Sequence, residues 1–288
     1  AADELIYQED DDTFEVSIGK TDDERYLIIS SESMETSEVH YIDLLNADKP
    51  VVNCLTPRRP KVLYNVAHYE GKWWIWSNVG GLPNMALFQC PVANANKNED
   101  TNIEWQMVRD AAGKVLFDGS AGDKSLDEVT IFAGHAVLTG RAGGLPRIWI
   151  ASLDKDSKVV TSVTTLEFDE EAYDVCLGAN YEYHTDRIAI AYDSLVTPTQ
   201  VLEINLSNPM TDRRILKERN VPGYEKPLYA SERFYVVSRD GHTQIPVSLV
   251  YRKQTMQMHQ ATGKPIPLLL YGTFHAYDWV FVLLPQDM

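Results

Sequence analysis

Ser120, in the stretch VLFDGSAGDKSL at residues 115–126, is the first residue whose surroundings suggest chemistry. A nucleophile elbow has the pattern Gly-x-Ser-x-Gly on a sharp strand-to-helix turn that lifts the hydroxyl clear of a sheet. Here Asp118 stands at the first glycine position and Gly122 at the last. Residues 115–117 can end a strand, but residues 123–128 are short and charged and lead into VTIFAG, which reads as another strand. Ser120 is therefore read as a loop residue. The seven histidines, His40, His68, His135, His184, His242, His259 and His275, show no His-x-x-x-His or His-Glu-x-x-His spacing, so a metal site needs long-range convergence. The run Glu9-Asp10-Asp11-Asp12 lacks the alternating ligands and central glycine of a calcium loop, and Asp154-Lys155-Asp156 fails in the same way. These segments read as a solvated loop and a turn. Asn205-Leu206-Ser207 is a sequon on paper, but it lies on a strand. Trp73, Trp74 and Trp76 sit in an inner-strand position, where packing and not ligand stacking is expected. The residues thus assign no catalytic, cofactor-binding or metal-ligating role.

What must position any site is a repeat. Four apolar segments, RYLIIS, KWWIWS, HAVLTG and RIAIAY, each have a partner downstream in EVHYIDL, NMALFQCP, RIWIASL and QVLEINL. From Arg25 to Leu44, Lys72 to Pro91, His135 to Leu153 and Arg187 to Leu206 the offsets are 19, 19, 18 and 19 residues. A third strand candidate precedes each pair (TFEVSIG, KVLYNVAHY, EVTIFAG, YDVCLG), and a more polar fourth follows (PVVNCL, NIEWQMV, VVTSVTTLEF, RRILKER). Turn residues Asp22-Asp23, Glu70-Gly71, Gly80-Gly81 and Gly143-Gly144 punctuate the units. Four short antiparallel strands per unit are the sequence form of propeller blades, with apolar inner strands covered on both faces and a polar outer strand at the rim. The chain therefore reads as all-β, a partial β-propeller with blades at about 13–55, 61–108, 128–168 and 173–219. NVPGYEKPLYA, residues 220–230, reads as a linker. After it, SERFYVVSRDGHTQIPVSLVYRK reads as a hairpin around Arg239-Asp240-Gly241-His242, and KPIPLLLYG as a strand of the buried kind.

Composition sets the outer limits. The 288 residues carry a formal net charge of −16, which repels phosphate backbones and anionic lipid surfaces, so neither nucleic acid nor membrane is an expected partner. Cys54, Cys90 and Cys176 are too few and too scattered for a disulfide framework or a sequence-local zinc motif, which suits a reducing, cytoplasmic setting. The start AADELIYQEDDD has no signal-peptide pattern and reads as an interior cut into a longer protein.

TFEVSIGKT, ERYLIISSESMETSEVHYID, TPTQVLEINL, VPGY, RFYVVSRDGHTQIPVSLVYRK and PLLLYG resemble the oligopeptidase B branch of the prolyl oligopeptidase family of serine peptidases, across about residues 3–272. The resemblance implies four blades of a seven-bladed propeller at residues 1–219. It further implies that residues 231–272 are the first strands of an incomplete α/β-hydrolase domain, the peptidase catalytic domain. The implied activity is endopeptidase cleavage of short peptides after basic residues by a Ser/Asp/His triad, with the propeller as a steric gate and with no cofactor. Residues 273–288 depart from the family and are read as a divergent tail, from a shifted frame, a retained intron or a truncated gene. The elbow serine and both triad partners belong beyond that point, so no triad residue is assigned and the chain is expected to be inactive alone. The alternative is a stand-alone propeller that binds protein partners; an open arc of blades leaves unpaired edges that invite self-association.

Overall fold

The computed structural model describes residues 4–46, 50–94, 105–122, 124–271 and 280–283. Each of the four repeats folds as a four-stranded antiparallel meander. Blade 1 is β1 (Glu15–Lys20), β2 (Tyr26–Glu32), β3 (Ser37–Asp43) and β4 (Asn53–Cys54). Blade 2 is β5 (Tyr64–Tyr69), β6 (Lys72–Ser77), β7 (Ala86–Pro91) and β8 (Gln106–Met107). Blade 3 is β9 (Lys124–Phe132), β10 (His135–Ala142), β11 (Leu145–Leu153) and β12 (Val160–Thr165). Blade 4 is β13 (Tyr173–Leu177), β14 (Arg187–Ser194), β15 (Gln200–Asn205) and β16 (Arg213–Glu218). Among the described residues no helix is long and apolar enough to cross a membrane.

The molecule divides into two compact units. The first holds Ala1–Arg141, Ile148–Thr165 and Ala179–Asp186, and the second holds Ala142–Arg147, Leu166–Gly178 and Arg187–Met288. In the first unit the core follows from alternation. β3 buries Val39 and Tyr41 on the face opposite Glu38 and His40, as the two-residue period of a strand requires. Tyr26, Tyr41 and Trp73 pack ring against ring at 5.0–5.6 Å. With Val39, Leu55, Tyr64, Ile75 and Phe88 they make one cluster that joins blade 1 to blade 2. Polar ties fix the register between the two sheets. Tyr64 N–H donates to Ser37 Oγ at 2.7 Å, and Val39 N–H donates to the Tyr64 hydroxyl at 2.8 Å. Trp73, Trp74 and Trp76 are all buried, because β6 lies between β5 and β7 and is covered on both faces.

Two expectations about the blades need correction. The outer strands β4 and β8 are only two residues long where PVVNCL and NIEWQMV suggest full strands; residues 102–104 of the latter lie outside the described residues. The first strand of blade 1, read as a covered inner strand, is exposed at every position, unlike β5, which takes the same edge place in blade 2 and is mostly buried.

In the second unit blade 4 is followed by a mixed sheet, ordered β17 (Tyr229–Val237), β18 (Gln244–Arg252), β20 (Val280–Leu283), β19 (Leu269–Tyr271). β17 and β18 form the expected hairpin, from Tyr229 opposite Arg252 to Val237 opposite Gln244. β18 and β20 run parallel. A helix that the sequence pattern does not announce, α1 (Lys253–Thr262), follows β18 and ends at Gly263 in the left-handed conformation. It buries no residue, so it has no apolar stripe to betray it. KPIPLLLYG is not a buried strand: its β-structure is three residues at the sheet edge, and Leu270 is 68% exposed. Of the tail at 273–288, only residues 280–283 are described.

Candidate functional site

Ser120 lies in an exposed turn between β8 and β9. Its Oγ and its backbone N–H both donate to Asp118 Oδ1, at 2.7 and 3.0 Å. Asn84 Nδ2 holds its carbonyl at 2.9 Å. The preceding Gly119 has φ +69, and a Cβ there would stand 2.7 Å from the Asn84 carbonyl oxygen, so this turn requires glycine. The hydroxyl is locked in an Asx-type turn, with a carboxylate and no imidazole as its partner. Among the described residues no serine is hydrogen-bonded to a histidine. His275 lies outside the described residues. Asp154 and Asn205 cap turns, accepting backbone N–H bonds from Asp156 and Ser157 and from Ser207 and Asn208. Glu9 is less free than a solvated loop implies: Arg58 Nη2 binds it at 2.6 Å, and its carboxyl is held down to about 2 by Arg58 and Ser31.

One aspartate–histidine pair has the look of two-thirds of a triad. His68 Nδ1 lies 2.6 Å from Asp23 Oδ2, with both side chains largely buried. Gly71 N–H donates to His68 Nε2 at 3.0 Å, which makes Nδ1 the protonated nitrogen. Burial pushes the Asp23 carboxyl up, but the bonds from His68 and Thr21 reverse this and leave it below its ordinary value. A general base needs a free nitrogen facing the proton it takes. The ring has none, and packed against Tyr26 and Trp73 it serves as a buried connector between blades 1 and 2.

The second unit holds a polar junction where blade 4 meets residues 220–228 and β17, which begins at Tyr229, within the stretch 220–230 read as a linker. Glu170 accepts from Lys226 Nζ at 2.7 Å and from the hydroxyls of Thr197 and Tyr192. Burial pushes its carboxyl up; these three donors outweigh that and leave it lowered. Tyr224 donates to the Val196 carbonyl at 2.5 Å and stacks on Tyr229. Arg233 of β17 donates its backbone N–H to Glu171 and its guanidinium to the Gly143 carbonyl, both at 2.8 Å. Gly143 and Gly144, at φ +60 and +68, form the two-residue hairpin tip that this contact needs. Beside this junction lies a cavity of about 240 Å³ lined by Ala172, Tyr173, Asp174, Asp193, Ser194, Leu195 and Ser248. Asp174 and Asp193 face each other across the β13–β14 register and give its wall two acceptor-only groups. Ser194 Oγ is occupied by the N–H groups of Val196 and Thr197. The cavity can hold a cationic or hydrogen-bond-donating group, but it contains no activated nucleophile.

The model of the prolyl oligopeptidase N-terminal β-propeller domain matches residues 1–219. The chain belongs to the prolyl oligopeptidase family. Dipeptidyl aminopeptidase BI of Pseudoxanthomonas mexicana is 32% identical over 274 residues, which is 95% of this chain and 34% of that protein. Protease 2 of Moraxella lacunata is 29% identical over 94% of this chain and 35% of its own length. Among solved structures, oligopeptidase B from Trypanosoma brucei in a closed form with covalently bound antipain superposes with a TM-score of 0.76 at 26% identity, covering 96% of this chain and 39% of that one. Oligopeptidase B from Leishmania major gives 0.72 at 27%, covering 86% and 33%. The chain spans about a third of the length of the curated relatives it matches. The four blades are thus the propeller fold of a prolyl oligopeptidase, and the neighbours agree with the oligopeptidase B resemblance read from its motifs. Sequence spacing revealed the four-strand repeat and the motifs carried the family resemblance, but neither marked the Asp23–His68 pair or the Glu170 junction, because their members lie far apart in the chain.

Proposed function

We propose that the chain is the propeller portion, with the opening strands of the hydrolase domain, of an oligopeptidase B-like serine endopeptidase that hydrolyses short peptides after basic residues. The observation that supports this most directly is the continuity of the match to oligopeptidase B, which runs over 96% of the chain, through the blades and into the mixed sheet. In this reading the triad comes from hydrolase sequence outside these 288 residues: a serine attacks the peptide carbonyl, a histidine takes its proton and an aspartate orients the histidine. The propeller excludes folded proteins from that centre. The net charge of −16 draws in cationic peptides, and Asp174 and Asp193 offer acceptors at the junction. Alone the chain is inactive, and its bare strand edges favour self-association.

The purified chain is expected to give no turnover of an arginyl reporter peptide. A fusion continuing from Tyr271 into the hydrolase domain of an oligopeptidase B relative is expected to cleave it. Turnover by the chain alone that an active-site serine reagent abolishes overturns the assigned inactivity, and a folded fusion without arginyl cleavage overturns the assigned substrate.

A further inference from the structure

The three chemically distinct donors Glu38, His40 and Cys54 converge on blade 1. Glu38 and His40 are two residues apart on β3 and share one face; Cys54 on β4 is the cross-strand partner of His40. One ligand atom from each lies within 4.8 Å of the other two, and all three residues are partly buried. Two further observations point to a ligand. His40 Nδ1 is buried without a hydrogen-bond partner, an uncommon state for an imidazole nitrogen. Glu38 is held in place: Arg58 N–H donates to its Oε1 at 3.0 Å and Arg58 Nη2 to its Oε2 at 3.2 Å, outer bonds of the kind that orient a metal-binding carboxylate, and the Cys54 thiol already donates to the same Oε1 at 4.0 Å.

We propose that Glu38, His40 and Cys54 form a zinc site that staples the two-residue strand β4 to β3, with water in the fourth position. The donor set selects the ion, since thiolate and imidazole favour zinc over magnesium or calcium. Charge is balanced: a divalent ion offsets the Cys54 thiolate and Glu38, while Arg58 keeps its own partner in Glu9. Ligand atoms around tetrahedral zinc stand roughly 3.5 Å apart, given bond lengths of about 2.0–2.3 Å, so small rotamer changes close the present spread. Binding exchanges the Cys54 thiol proton for the metal, and the proton leaves to solvent. The gain is mechanical, because two ladder residues are a weak hold on an outer strand.

The test is titration of the tag-free 288-residue chain with Co²⁺, followed by displacement with Zn²⁺. One thiolate-to-cobalt charge-transfer band per chain is expected, removed by one equivalent of Zn²⁺, and Zn²⁺ raises the thermal unfolding midpoint. Cys176 is exposed and free, so it is the control for adventitious thiol binding. The band survives Cys176→Ser and disappears in Cys54→Ser, and His40→Gln weakens Zn²⁺ binding at least about tenfold. No band in the wild-type chain overturns the proposal without need of a folded variant. So does a band that persists in Cys54→Ser or vanishes in Cys176→Ser.

Discussion

Strands β6 and β17 carry comparable runs of aromatic and β-branched residues, KWWIWS and YASERFYVV, and they end in opposite environments. In β6, Trp73 and Trp74 are 0% and 1% exposed; in β17, Tyr235 and Val237 are 53% and 58% exposed. The difference lies in the neighbours. β6 has a partner strand on each side and packed faces above and below, whereas β17 is an edge strand paired only with β18. An apolar run states that a strand requires cover; it does not supply the cover. Phe234 and Val236 on one face of β17, and Tyr235 and Val237 on the other, are all more than 40% exposed, so this strand leaves apolar side chains bare on both faces.

Three substitutions probe this contrast. Trp73→Ala removes a ring packed against Tyr26, Tyr41 and His68, and is expected to cost about 3–5 kcal/mol in urea unfolding. A cost no larger than that of a β17 surface change breaks the comparison. Next, His68→Ala strands the Asp23 carboxylate in the same core, with an expected cost of about 2 kcal/mol at neutral pH. Because the native pKa of Asp23 is lowered, the pair's contribution is complete above the ordinary value of 3.8 and is lost as the pH falls below it. The gap between wild type and His68→Ala therefore narrows on acidification, and a gap that is constant down to strongly acid pH contradicts the pairing. The smallest effect belongs to Val237→Lys on β17, expected to shift stability by less than about 0.5 kcal/mol while reducing self-association in sedimentation velocity. Destabilisation beyond that range would mean that β17 is covered after all.

Legibility in the sequence followed the range of the interactions. The hairpins of each blade were readable because β2–β3 and β14–β15 close over short turns and alternate with a two-residue period. The polar character of β16 at its edge was readable for the same reason. PLLLYG misled, since burial depends on a covering layer and not on the run itself. α1 was invisible because KQTMQMHQAT has no buried face; its one local signal was Gly263 at the left-handed terminus. Glu9, Asp23, His68 and the Glu38–His40–Cys54 group escaped because their partners lie far along the chain, on other strands or in loops, so nothing in their spacing marks them.

The parallel pairing of β18 with β20 bears on the order in which the chain folds. Every blade is a meander whose strands meet neighbours made moments earlier, so each can close as soon as it leaves the ribosome. β18 has no such option on its second side: Val247 meets Val280 only after α1 and β19 have both been synthesised. The last sheet is therefore the slow step of assembly, during which the apolar strand Gln244–Arg252 waits with one edge open while the blades are already complete.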